Sequence, residues 1–258
     1  MLQDFGNGIG PALRGGITAN NLFYGMGPTS QQPDIARTQL YFIDTDRVYP
    51  SRVFQSYEEM NTTAVFDALP LGIDDRDAVI FYSTISGGAT YGYVGEETFF
   101  SLAILKCLEG AAAVPGETDQ EGTLRWQVSI TSLMNGLNQV LPGLVQDSGA
   151  IQLFEVGGQV RDSIICYLDA TPVVDLAIEV DPIEALAVSH VEMCNEASAV
   201  VFKHDAPLQP HPYPIQLPAG YYTLRIRIAP PDPRFKDLVA RTRLLTPPRA
   251  VWKVKVAS

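Results

Sequence analysis

The sequence predicts an α/β domain over residues 1–170 followed by a small antiparallel β-sandwich over 171–258, and three observations carry that division. Through about residue 145, short continuous apolar runs alternate with segments of helical period, the order that makes strand–helix crossovers and a largely parallel sheet. After Asp169-Ala-Thr-Pro172 the period drops to two, the pattern of strands with one wet face. The composition, 46% hydrophobic and 18% charged over 258 residues, belongs to a chain with enough apolar surface to fold, not to a disordered tail, a collagen or a coiled coil.

The elements follow in order. Residues 1–36 are crowded with turn formers, and Gly6 to Gly10 has phosphate-loop spacing but lacks both a preceding strand and a following Lys-Ser/Thr. Leu40-Tyr-Phe-Ile43 reads as a strand buried on both faces that ends in Asp44-Thr-Asp46-Arg47. Ser56 to Leu69 looks helical, and Ala78 to Ser83 reads as a second buried strand ending in Thr84-Ile-Ser-Gly-Gly88. Glu97 to Glu109 is a helix with Phe100, Ile104 and Leu108 on its stripe and Gly110 to close it. Trp126 to Ile130 is a short strand, and Thr131 can cap a helix that Pro142 stops. In the sandwich, Val174–Val180, Ser189–Met193, Ala199–Phe202, Tyr222–Ile228 and Trp252–Val256 are the strands, with Pro207 to Pro218 in a connection.

Charge and composition exclude several function classes. The formal charge of -11 repels a phosphate backbone, so no nucleic-acid partner is expected. No apolar run approaches the roughly 20 residues needed to span a bilayer, and the start lacks a signal peptide's basic and apolar regions, so no membrane is expected and a cytoplasmic location is the default. Cys107, Cys166 and Cys194 are too scattered for a disulfide framework or a zinc site and read as buried thiols. His190, His204 and His211 all lie in the last third; His204, Asp205 and His211 sit in a stiff proline-rich surface loop rather than a metal site. Neither cofactor nor metal is expected.

The binding crevice of a parallel sheet opens at the carboxyl ends of its strands, which places Asp44, Asp46, Ser83 and Thr84 there. If strand geometry persists, Asp44 and Asp46 point to one face. Asp-x-Asp after an apolar strand resembles the haloacid dehalogenase superfamily, which implies a magnesium-dependent phosphatase using Asp44 and Asp46, with Lys106 and Asp74-Asp75 as loose candidates for its remaining groups.

A second resemblance covers residues 2–165. Gln39 to Arg47 resembles the strand of caspase-like and metacaspase-like cysteine peptidases that ends in Asp-Ala-Cys-Arg or a close variant, with Asp46 at the cysteine position. Asp77 to Gly92 is similar to the next strand and its substrate-facing turn in bacterial members. Glu96 to Gly110 resembles the helix that follows, and Gln152 to Asp162 the last core strand. Leu2 to Gly6 resembles the segment shortly after the family's His-Gly motif.

The resemblance implies the carboxyl-terminal part of a caspase-like α/β domain, cleaving after basic residues in its active form but silent here, because a carboxylate replaces the thiolate and no His-Gly strand is present. It implies that Asp44, two positions before the nucleophile, lines the pocket for a basic side chain of a peptide or protein substrate. The bare alternative is that Asp44 caps a neighbouring turn or helix. The expected partner is the amino-terminal half of the same precursor, which carries the catalytic histidine and covers the open edge of the first strand. A peptide- or partner-binding pseudoenzyme is the non-catalytic reading.

Overall fold

A computed structural model describes residues 19–29, 33–47, 74–118 and 124–256. Residues 1–18 of the turn-rich start, with the Leu2–Gly6 segment, and the Ser56–Leu69 helix expected from sequence lie outside these residues; within the rest of the start, Ala19–Gly25 is helical where a loop was expected. The chain divides into two compact units, residues 1–101 with 145–163 and residues 102–144 with 164–258. The whole segment 171–258 falls in the second.

In the first unit, β1 (Thr38–Ile43) runs parallel to β2 (Asp77–Tyr82), in register from Thr38 opposite Asp77 to Ile43 opposite Tyr82. A third strand, β5 (Glu155–Gln159), joins β2 antiparallel, so the sheet order is β1-β2-β5. Central β2 is buried at every residue from Asp77 to Phe81, as its apolar run predicts. The first strand differs from expectation: Thr38 and Phe42 are exposed and only Gln39 is fully buried. Its place at the end of the sheet explains this, because an edge strand is flanked on one side only. Helix α1 (Ala19–Gly25) sets Phe23 against Ala78 and Ile80, with Tyr41, Ile43 and Tyr82 around them. At the amino ends of β1 and β2 the Arg76 guanidinium donates to both Asp74 oxygens, to Phe23 O at 3.0 Å and to Gln39 Oε1 at 2.8 Å.

Helix α2 (Phe99–Lys106) begins in the first unit and continues as a wide π-turn over Cys107–Ala111, which ends where Gly110 takes φ +138°. In the second unit, β3 (Val114–Thr118), β4 (Leu124–Ser129) and β6 (Ile164–Tyr167) form a separate antiparallel sheet in the order β3-β4-β6. A largely parallel core therefore does not form among the described residues; β1 with β2 is the parallel pair of the α/β part. Alternation of strands and helices fixes their order but not their partners, and the short link between β3 and β4 favours a hairpin.

Helix α3 (Ile130–Val145) follows β4 directly. Its cap is a reciprocal pair, Ser132 Oγ accepting the Ser129 amide at 2.9 Å and Ser129 Oγ accepting the Ser132 amide at 3.2 Å, in place of the expected Thr131. Pro142 does not stop the helix, which runs to Val145 and closes through a 3₁₀ turn to Gly149 at φ +68°. Proline removes one amide donor there, and a helix near its end tolerates that loss.

The remaining strands build two sheets. One is three-stranded, β10 (Tyr213–Pro218), β7 (Val173–Asp181) and β13 (Arg249–Lys255); the other is four-stranded, β12 (Leu238–Leu245), β11 (Gly220–Ile228), β8 (Ser189–Asn195) and β9 (Val200–His204). Each buries alternate residues, Val174, Leu176, Ile178 and Val180 on β7 and Tyr222, Leu224, Ile226 and Ile228 on β11, as the period-two reading predicts. Two sheets with one buried face each are the arrangement of a β-sandwich. The pairing is antiparallel except for β7 with β13, which is parallel.

Candidate functional site

The carboxyl ends of β1 and β2 bring together all four residues that the sequence singles out. The parallel register continues past the strands, with the Ser83 amide donating to Ile43 O at 2.9 Å. Ser83, fully buried, then stitches the two ends together: its hydroxyl accepts from the Thr45 amide at 3.1 Å, lies 3.0 Å from Thr45 O and meets Thr90 Oγ1 at 2.5 Å. Thr84 is buried, and its carbonyl accepts from Arg47 Nη1 at 3.2 Å. The Arg47 backbone bonds Gly88 O and the Gly87 amide, and its guanidinium reaches Glu155 and lies 4.2 Å above the Tyr82 ring. The hydroxyls of Ser83 and Thr84 thus sit beneath the surface, where they shape the turn.

Asp44 and Asp46 bond to different segments, so the expectation that both share one face does not hold; β1 ends at Ile43, and strand geometry does not persist through them. Exposed Asp46 accepts the Thr90 amide at 2.6 Å. Half-buried Asp44 turns to the start of α2, where its Oδ2 accepts from Thr98 Oγ1 and, at 2.6 Å, from Ser101 Oγ. Thr98 Oγ1 also accepts the Ser101 amide at 3.1 Å and so caps α2. A carboxylate at this helix end sits in favourable field from the helix dipole. Its other oxygen, Oδ1, is buried and accepts no hydrogen bond among the described residues.

Sequence reasoning missed Thr98, Ser101, Thr90 and Gln152. Thr98 ahead of an apolar run is a readable N-cap signal, whereas Ser101 at the third position gives none. Gln152 gives no such signal: it is a single buried amide that donates to Ser83 O at 2.8 Å and accepts from the Tyr91 amide at 3.1 Å. The loose phosphatase candidates lie elsewhere. Asp74 belongs to the Arg76 network at the opposite, amino end of β2, with Asp75 beside Arg37, and Lys106 is exposed at the end of α2. No group of three acidic, histidine or cysteine side chains among the described residues is placed to hold a metal ion. In the sandwich, His190 Nδ1 lies 3.0 Å from Asp205, His211 Nε2 accepts from the Val180 amide at 3.3 Å, and His204 packs its ring against Tyr213 at 4.5 Å.

No family model, curated protein or solved structure matches the chain. No helix among the described residues is long and apolar enough to cross a membrane.

Proposed function

We propose that residues 2–165 correspond to the carboxyl-terminal part of a caspase-like peptidase domain that does not cleave in this form and holds a basic side chain of a peptide or protein at Asp44. One observation carries this reading: Asp44 Oδ2 is fixed by two hydroxyls while Oδ1 is buried with no donor. Leaving such an acceptor unsatisfied costs on the order of 1–3 kcal/mol, more where the group is charged. An ammonium or guanidinium entering beside it removes that cost. Oδ1 has no accessible surface in this structure, so the reading requires that the basic side chain uncover it on binding.

Silence in cleavage follows from Asp46. A carboxylate is a poor nucleophile toward an amide, and this one is exposed and engaged by the Thr90 amide. The chain's three histidines all belong to the second unit. The reading also takes the amino-terminal half of the same precursor as partner; among the described residues, β1 is an edge strand with β2 as its neighbour, and an open edge is a template for another strand.

The test is direct. Fluorescent peptides ending in Lys, Arg, norleucine or Glu are titrated into the full chain and followed by anisotropy. Basic peptides bind, uncut over hours, and Asp44→Asn weakens them by about tenfold or more, the scale of one charged hydrogen bond. Equal binding of basic and acidic peptides, or indifference to Asp44→Asn, defeats the proposal.

A further inference from the structure

We infer that the connection between β9 and β10, Asp205 to Pro212, is a pH switch whose two ends are held by histidines of opposite proton requirement. The chain leaves β9 at His204 and enters β10 at Tyr213. Between them Leu208 is fully buried and its amide donates to Leu186 O at 2.9 Å, an anchor that does not titrate. Pro207, Pro210 and Pro212 fix φ on either side of it, so both arms are stiff.

At the first end, His190 of β8 stands between two acceptors: Nδ1 lies 3.0 Å from Asp205 Oδ1, and Nε2 lies 3.2 Å from Ala229 O. A carboxylate and a carbonyl only accept, and a neutral imidazole carries one N–H. Both bonds therefore exist together only while the ring carries a proton on each nitrogen. The His190 bond holds the Asp205 carboxyl below its ordinary value, which keeps that acceptor charged. Lys203 and Arg227 face the same hollow and oppose a further positive charge. Glu192 and Asp237 face it too, the first bonded to Arg225 and the second to the Ile228 amide.

At the second end the requirement reverses. Tyr213 pairs with Ile178, and the same antiparallel register carried two residues further sets His211 opposite Val180. There the His211 ring takes the place of a backbone carbonyl, its Nε2 accepting the Val180 amide at 3.3 Å. This bond needs a bare Nε2, which a doubly protonated ring lacks. His211 lines a hollow of about 620 Å³ in which Glu179, Asp181 and Glu184 meet Arg241, Lys253 and Lys255. Glu179 is bonded to Lys253 at 3.2 Å, so Asp181 and Glu184 are the carboxylates left to draw a charged ring off the amide. Acid thus closes the Asp205 end and frees the His211 end, and base does the reverse.

NMR on the isotope-labelled full chain reads both ends from about pH 8 to about pH 5, the span in which histidine changes charge. As pH falls, the Val180 amide loses protection from hydrogen exchange, corrected for the intrinsic rate, by about fivefold or more, the scale of one hydrogen bond. Over the same span backbone order falls at His211 and rises at Ala206. His211→Asn, whose side-chain oxygen accepts without titrating, makes Val180 protection independent of pH and leaves the response at Ala206. His190→Gln, which donates without titrating, does the converse. Both ends loosening together on acidification, or either end indifferent to pH in wild type, overturns the inference. Val180 protection that still falls in His211→Asn overturns the role of His211, and an Ala206 response that survives in His190→Gln overturns that of His190.

Discussion

Arg76 shows what a single residue does in the first unit. Its side chain is 1% exposed, lies 4.9 Å from the centre of the Phe23 ring, and ties α1, β1 and the entry to β2 through Phe23 O, Gln39 and Asp74. Arg76→Met strands the acceptors it served, and we expect a loss of about 3–5 kcal/mol in urea denaturation, the range for breaking a buried ion pair. The Arg76 hydrogen bond holds the Asp74 carboxyl below its ordinary value. Burial works to raise Asp77, but bonds to Ser163 and Arg161 outweigh it and the net shift is also downward. A carboxyl depressed on folding contributes stability that is complete above its unfolded value of about 3.9 and drains away as pH falls through the folded value. Urea midpoints measured from pH 6 to pH 2 should therefore drop most steeply below about pH 4, and Asp74→Asn should flatten that limb. An acid limb unaltered by Asp74→Asn would refute the assignment. At this scale the sequence was informative where chemistry and strand ends coincide, which is why Asp44, Asp46, Ser83 and Thr84 were legible. Asp44's partners were half legible, since Thr98 carries an N-cap signal and Ser101 does not. Gln152 was illegible, because one amide in a loop has no periodicity to betray it.

Among the elements, β5 depends on a glycine more than on side-chain packing. Gly158 has φ +87°, and a Cβ there would fall 2.3 Å from Ala78 O. Gly158→Ala has to strain the backbone and push β5 off β2; we expect at least about 2 kcal/mol lost, and a thermal midpoint like wild type would contradict the β2–β5 pairing. Ser129→Ala, which removes half of the reciprocal cap on α3, should cost about 1 kcal/mol in the same assay. Strands with clean alternation, such as β7, β8 and β11, were readable to within a few residues because burial of one face imposes the pattern. β10 and β3 were hidden by Pro214, Pro218, Pro115 and Gly116, which read as breakers; the prolines sit in edge strands, where a missing donor is harmless. Pairing direction was not readable at all for β4, whose neighbours are chosen by connection length and not by its own residues.

For the molecule as a whole, the sheet orders leave β9, β10, β12 and β13 at the edges of the sandwich. Two carry protection: β10 has its prolines, and β13 has Lys253 and Lys255 together with a carbonyl, Val251 O, that accepts from Arg243 of β12 at 2.7 Å. β9 is barer, with Val200 54% and Val201 41% exposed. We expect the chain to associate at high concentration through this edge, and Val201→Lys to lower light scattering while leaving stability within about 0.5 kcal/mol. Unchanged scattering would point to the β1 edge instead. The first unit, meanwhile, is assembled from segments far apart in sequence, and Gln152 is the case in point. Its amide holds the Ser83 carbonyl and the Tyr91 amide, 69 and 61 residues earlier in the chain. During translation, both aspartates emerge from the ribosome long before the brace that steadies their rim. A nascent polypeptide halted near residue 150 would hold both aspartates and their hydroxyl partners yet lack the amide that ties Ser83 to Tyr91, so this end of the sheet is completed only once the chain has made its excursion and come back.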